Sequence, residues 1–310
     1  MQPPTLTLVV NPTAGRGKAV RVHPSVVQEL LKGAPSARLN VVRATSYEEA
    51  RIRCIAAVEA ARTTPVDGRH DCLVVMGGDG MMHLGLNAAA GSGVPLGVIP
   101  AGTGNDFCRG VGLPTKLEAA IAVIADGHTR EVDLMSVDGE LVDGTQRRWV
   151  GSILSTGFDE KVNWRANHLP VSFGAPSYAY PVIAELRTFR PLRYRLLVDG
   201  VPRELDAILV AVGNAGVFGG GIRICPEASV TDGRLDVTMV HPVPRSLIFR
   251  LFRQLFTGEF AKHPSIETLT AEEVVVDGDD LFGMADGEDL GRPPFTCRAV
   301  GAAARLYVPQ

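Results

Sequence analysis

The sequence predicts an α/β domain followed by an antiparallel β-sandwich domain, and three observations carry that expectation. Apolar, β-rich runs at Leu6–Val10, Arg38–Val42, Cys72–Met76 and Pro95–Ile99 alternate with helical stretches, the order that builds βαβ units and a mostly parallel sheet covered on both faces. From Glu131 onward, strand-like runs follow one another at short spacing, separated by turn pairs such as Asp199-Gly200 and Asp232-Gly233, as in a sandwich or barrel. With 310 residues, the chain is long enough for two ordinary domains, each with its own core.

Taken in order, the first strand runs into a glycine-bearing turn, Asn11-Pro12-Thr13-Ala14-Gly15-Arg16-Gly17-Lys18, and a helical stretch then passes through Leu30-Leu31 to Gly33. After the second strand, Thr45-Ser46-Tyr47-Glu48-Glu49 reads as a helix start with acidic residues in its first turn, the helix running to about Arg62. The third strand ends in Gly77-Gly78-Asp79-Gly80, and a helix of mixed Leu, Ala and Met follows to Ala90. The fourth strand ends in Ala101-Gly102-Thr103-Gly104-Asn105-Asp106. Residues 1–132 are expected to form this domain and 133–298 the second, with 299–310 a terminal strand that could pair with either. In the second domain Glu131–Val137, Arg147–Leu154, Arg193–Val198, Ala207–Val212, Leu235–Val240 and Val274–Val276 read as strands, with helical insertions at about 174–188 and 244–257. The closing run Ala304–Val308 is an edge-strand candidate.

The bulk numbers exclude several classes. A composition 45% hydrophobic and 21% charged is ordinary for a globular protein. A net charge of -3 argues against a nucleic-acid partner, whose footprint is strongly basic. Five dispersed cysteines without C-x-x-C read as buried thiols in a reducing compartment. The amino terminus lacks a signal-peptide pattern, and no apolar run approaches the ~20 residues that span a bilayer. The expectation is a cytoplasmic protein, with peripheral contact at the inner membrane surface left open.

Three glycine turns, each following a strand of one α/β domain, should converge on a single crevice at the carboxyl ends of the strands. Glycine lets the backbone turn sharply and approach a ligand closely, and successive backbone N–H groups at such turns hold anions. The first turn is no Walker A loop, because Ala19 follows Gly17-Lys18 where a Mg²⁺-holding Ser or Thr belongs.

Asn11-Pro12 with Gly15, Gly77-Gly78-Asp79-Gly80 and Gly102-Thr103-Gly104-Asn105-Asp106-Phe107 resemble the serial motifs of the diacylglycerol kinase catalytic family, which includes soluble bacterial lipid kinases and relatives of sphingosine and ceramide kinases. Val212-Gly213-Asn214, Phe218-Gly219-Gly220-Gly221, Pro226-Glu227-Ala228, Asp232-Gly233-Arg234-Leu235-Asp236 and Asp286-Gly287-Glu288 extend the resemblance over nearly the whole chain. It implies an NAD-kinase-like three-layer α/β domain, an antiparallel β-sandwich domain, and ATP in the cleft between them.

Moving a γ-phosphoryl group to an alcohol needs positioned phosphates, Mg²⁺ and a base for the hydroxyl proton. The resemblance implies Asp286 as that base, with Asp79, Asp106, Asp133 and Glu288 in a carboxylate–water network around a catalytic Mg²⁺. It implies a phosphate and nucleotide cradle of Asn11, Gly15, Arg16, Thr45, Gly77, Gly78, Asp79, Gly80 and Thr103. It also implies a structural Mg²⁺ held by the Asp232 carboxylate and the carbonyls of Ser229 and Arg234. Plainer readings stand beside these: Asp286-Gly287 as a hairpin turn, Thr45 as a helix N-cap, Asp232-Gly233 as a type I′ turn, and His83 as a residue that packs or caps.

This chain departs from the pattern at Met81, where the family usually has Thr and where nucleotide contacts should therefore differ. It also departs at Arg16 in place of Lys, and near Gly174, where an expected lysine is absent and Phe173 stands nearest. The implied acceptor is a lipid at a membrane surface, diacylglycerol first. A sphingoid base, phosphatidylglycerol, or a soluble NAD-kinase-like reaction are the alternatives, and a nucleotide-binding protein without catalysis is a third class. Helix 244–257, with Arg245, Arg250 and Arg253 among large apolar residues, either lies on the membrane or covers the sandwich. A homodimer is left open.

Overall fold

In the computed structural model, residues 3–11, 14–62, 65, 68–157, 190–244, 246, 247, 251 and 253–310 are described, those at 14–23 and 253 by backbone alone. The first half runs β1 (Thr5–Val10), α1 (Ala14–Gly33), β2 (Arg38–Arg43), α2 (Tyr47–Glu59), β3 (Cys72–Gly77), α3 (Asp79–Ala89), β4 (Pro95–Pro100), α4 (Asp106–Gly110) and α5 (Leu117–Asp126). The strands pair in parallel in the order β2-β1-β3-β4. Because β2 and β3 flank β1 on opposite sides, the connections after β1 and β3 diverge and open a crevice at the carboxyl ends of the strands.

Strand periodicity divides each apolar run between two layers. Leu6, Leu8, Val10, Val74 and Met76 face Leu30 of α1 and Ile121 and Ile124 of α5. Val9, Leu73, Val75 and Leu96 face Ala50 and Cys54 of α2 and Leu84 and Leu86 of α3. Ser46 caps α2, its hydroxyl accepting the Glu49 N–H at 3.1 Å. All five cysteines are buried and free.

The second half contributes β5 (Thr129–Asp138), β6 (Arg147–Val150), β7 (Ile153–Gly157), β8 (Leu192–Val198), β9 (Val201–Ala207), β10 (Leu209–Gly213), β11 (Val217–Phe218), β12 (Ile222–Arg223), β13 (Leu235–Val240), β14 (Ile266–Ala271), β15 (Glu273–Gly278), β16 (Gly283–Ala285), β17 (Glu288–Gly291) and β18 (Phe295–Tyr307). One antiparallel layer has the order β14-β13-β10-β7-β16-β17. The facing layer continues the first-half sheet as β18-β15-β8-β9, with β5 on β18 and β6 on β5. Met135, Leu154, Tyr194, Val212, Val237, Val276 and Phe295 fill the space between them, which is the expected sandwich.

Four differences from the sequence reading matter. Gly15–Lys18 lie in α1, which starts at Ala14, and so do not prolong the turn. The run 147–154 is two strands, broken at Gly151-Ser152. The terminal strand is no edge: Arg305 and Leu306 pair with Pro95 and Leu96 of β4 on one side and with Glu131 and Arg130 of β5 on the other. Asp232-Gly233 is not a type I′ turn, since Gly233 has positive φ and Asp232 does not. The insertion at 174–188 lies outside the described residues, as do Phe173 and Gly174. Of helix 244–257, the described part places Leu251 in the core, with Leu247 and Leu255 against Ile153, Leu209 and Phe260.

Candidate functional site

The described parts of the three expected turns lie at the carboxyl ends of β1, β3 and β4. Asn11 follows β1 and donates its backbone N–H to Met76 O at 3.1 Å, while Gly15 and Arg16 fall in the first turn of α1. Gly77 closes β3, Gly78 caps α3 and Asp79 is that helix's first residue. Gly102 through Asn105 form the third turn, with Asn105 left-handed at φ 52 and its amide bonded to Gly102 O at 3.1 Å. The second and third turns are in backbone contact: a Cβ on Gly78 would stand 3.3 Å from Gly102 Cα. Thr103 is exposed at the rim.

Asp79 ties these turns together. Its carboxylate accepts the Asn105 N–H at 3.0 Å and the Asp106 N–H at 2.7 Å, so it also caps α4. Asp106 in turn accepts the Gly220 N–H at 2.9 and 3.0 Å, drawing the glycine loop between β11 and β12 onto the α/β half. Burial pushes the Asp79 carboxyl above the usual range, and the Asp286 charge adds to that. Burial also pushes Asp106 up to about 6, with the Asp79 charge contributing. The crevice therefore holds negative charge that the protein itself leaves undercompensated.

The opposite wall is the β16–β17 hairpin. Asp286 and Gly287 have φ of 50 and 86°, the two left-handed residues of a type I′ turn, so the plainer reading of this pair is correct as geometry. It also presents the side chain: Asp286 accepts N–H bonds from Gly151 at 2.7 Å, Ser152 at 2.8 Å and Ile153 at 3.3 Å, with its side chain 1% exposed. The break between β6 and β7 supplies these donors, and sequence periodicity passed over it. Glu288 reaches back to α3, where a Cβ on Gly80 would stand 3.2 Å from its Oε1 and 3.7 Å from the Tyr47 ring. Burial and the Glu288 charge push the Tyr47 hydroxyl up to about 12.

Other expected residues lie elsewhere. The Asp133 carboxylate is engaged by backbone N–H groups of Gly233 at 2.8 Å and Ala302 at 2.9 Å, beside the Asp232 turn. Asp232 accepts the Arg234 N–H at 3.1 Å, and the Ser229 hydroxyl meets Thr231 at 3.3 Å. Thr45 precedes the cap and is not the cap itself; its hydroxyl bonds Glu49 at 2.6 Å. Met81 is 3% exposed within the α2–α3 layer, so its side chain faces core and not the crevice.

Among the described residues, no three His, Cys, Asp or Glu side chains close on one point as a metal cage. Two carboxylates do come together: a Cβ on Gly104 would stand 2.6 Å from Asp79 Oδ2 and 3.3 Å from Asp106 Oδ2, and such a pair would suit a hard dication that takes one or two carboxylates and keeps its waters.

Residues 5–137 match the model of the diacylglycerol kinase catalytic domain, and residues 152–308 match that of the YegS C-terminal NAD kinase beta sandwich-like domain. The chain is 35% identical to a diacylglycerol kinase of Mycobacterium tuberculosis over 98% of its own length and 95% of that protein's. It is 30% identical to a YegS-like lipid kinase of Stenotrophomonas maltophilia over 79% of its own length and 81% of the other. A solved diacylglycerol kinase structure from Bacillus anthracis superposes with a TM-score of 0.72 at 20% identity, covering 100% of this chain and 98% of that one.

Proposed function

The chain belongs to the diacylglycerol kinase catalytic-domain family and is a lipid kinase, and we propose that it moves the γ-phosphoryl group of ATP to the hydroxyl of diacylglycerol. The observation that carries this reading is the meeting of two walls: Asp79 and Gly80 of the α/β half face Asp286 and Glu288 of the sandwich hairpin, while Asp106, beside Asp79, takes the glycine loop of the second half at Gly220.

In this reading the three glycine turns cradle the phosphates through backbone N–H groups, with Asn11, Gly15, Arg16, Thr45, Gly77, Gly78, Gly80 and Thr103 around the nucleotide. Asp79 and Asp106 would hold Mg²⁺, with Glu288 on the facing hairpin as a further carboxylate. Bound there, the cation would neutralise charge on the transferring phosphates. Asp286 accepts the lipid hydroxyl proton as the hydroxyl oxygen bonds to the γ-phosphorus and ADP departs. Its three backbone donors fix its orientation, and its burial keeps bulk water from competing for the proton. Asp133 serves the fold beside the Asp232 loop, where the Asp232 carboxylate and the carbonyls of Ser229 and Arg234 would hold a second, structural Mg²⁺. The work takes place at the cytoplasmic membrane surface, and among the described residues no helix is long and apolar enough to cross a membrane.

The test is label transfer from γ-labelled ATP to a panel of diacylglycerol, sphingoid base, phosphatidylglycerol and NAD, with Asp286→Asn alongside. Label in phosphatidic acid, Mg²⁺-dependent and lost in the variant, is the expected result. Preferred labelling of another lipid would move the substrate assignment, and labelling of NAD alone would replace the reading.

A further inference from the structure

His83 stands one turn into α3 with its ring buried, and its Nδ1 is a buried polar atom without a hydrogen-bond partner. The nearest acidic acceptor is Asp286 Oδ2, 3.7 Å away, beyond hydrogen-bond distance. On its other side lies Asn87, four residues on. The Asn87 amide is oriented by backbone: Nδ2 donates to His83 O at 3.0 Å and Trp149 O at 2.9 Å, while Oδ1 accepts the Trp149 N–H at 2.9 Å. Both amide protons are thereby committed, and Nδ2 faces His83 Nε2 at 3.3 Å. A proton on Nε2 would point into that NH₂ group, so Nε2 is the bare nitrogen and Nδ1 carries the hydrogen. A buried N–H with no acceptor is costly, and here it is aimed at the carboxylate assigned the substrate's proton.

We propose that His83 is a positioning residue for Asp286: with Nδ1 kept protonated by the Asn87 amide at Nε2, its ring closes the 3.7 Å gap to Asp286 Oδ2 and donates one hydrogen bond there as the substrate proton transfers. A contact formed only in the loaded site favours the transition state over the free enzyme. Oδ2 is then held by Gly151 and His83, and Oδ1 takes the proton by giving up the long 3.3 Å bond from the Ile153 N–H while keeping that from Ser152. No proton passes through His83. The inference rests on the phosphoryl-transfer role given to Asp286.

The experiment compares His83→Leu with His83→Asn in the full chain. Leu fills the space without a donor, whereas Asn places its Nδ2 near the original Nδ1 position. The expected result is a kcat ~10- to 100-fold lower in His83→Leu, with KM for ATP within about twofold, and a kcat for His83→Asn within about threefold of wild type. A merely structural histidine predicts the reverse order, since Asn leaves a cavity and Leu does not. In an Asp286→Asn background, His83→Leu should cost nothing further; an undiminished second loss would overturn the proposal. Ring nitrogen NMR shifts of the ligand-free wild type supply a readout independent of activity. Protonated Nδ1 is expected, and protonated Nε2 overturns the proposal. Wild-type protein that labels no lipid would instead sink the kinase reading of the site, leaving the tautomer to decide this one.

Discussion

Gly78 and Gly102 touch backbone to backbone, joining the turns after β3 and β4 into one surface. The contact is asymmetric: a Cβ on Gly78 would stand 3.3 Å from Gly102 Cα, but one on Gly102 would overlap Gly78 Cα outright. Gly102→Ala should cost ~1–3 kcal/mol of stability by overpacking and raise the KM for ATP, with Gly78→Ala milder on both counts. Thermal melts and nucleotide kinetics on the pair provide the check, and the opposite order would refute the account.

Asp286→Asn should lose activity and stability together. The carboxylate accepts three backbone N–H groups, and an amide NH₂ turned toward them would leave donors facing donors. A loss of ~1–3 kcal/mol is expected from the unsatisfied groups, beside a ~10²- to 10⁴-fold fall in kcat from removing a general base. Denaturant melts and turnover on the same preparation separate the two effects.

Asp106 gives the fold a pH signature. Its carboxyl is raised from 3.8 to about 6, first by burial and then by the Asp79 charge. The folded chain thus holds this proton more tightly than the unfolded chain. The resulting stability is complete below pH about 4 and lost as pH rises through about 6. Asp106→Asn should remove that decline, gaining up to ~3 kcal/mol relative to wild type near pH 8 and almost nothing at pH 4. Denaturation profiles at pH 4, 6 and 8 test this; parallel profiles would rule it out. The wild type should recover more stability from Mg²⁺ and ATP than the variant.

Met81→Thr should matter to the core and not to the nucleotide. The side chain is 3% exposed among α2 and α3 residues. A cavity and a buried hydroxyl should together cost ~2–4 kcal/mol, while KM for ATP stays within about threefold of wild type. A large KM change with unaltered melting would place the residue in the crevice after all.

The parallel half was readable because β1, β3 and β4 are buried on both faces, and β3 and β4 run into glycine-bearing turns, so pattern and turn chemistry agree. Asp79, Asp106, Asp286 and Glu288 were found through motif, and the structure brings Asp79 and Asp106 to one wall and Asp286 and Glu288 to the other. What the sequence hid was relational. The break at Gly151-Ser152 sits inside a run that reads as one strand, and its purpose is visible only when Asp286, more than a hundred residues away, accepts its N–H groups. His83 looks like any helical histidine until Asn87 and Trp149 fix its ring nitrogen. β9 is exposed along most of its length, so no alternation of apolar residues marked it. Asp133 shares a residue type with the crevice acids, but backbone donors from Gly233 and Ala302 hold it beside another loop.

The pairing of Arg305 and Leu306 with Pro95 and Leu96 has a consequence in time. During synthesis β4 emerges long before its neighbour, which is encoded about two hundred positions later, and contacts of such sequence separation form slowly. Until β18 arrives, the newly made α/β half carries a bare, apolar sheet margin open to other nascent chains. Assembly of the crevice is therefore a late event in the life of each molecule, and chaperone protection is needed most in the interval between those two strands.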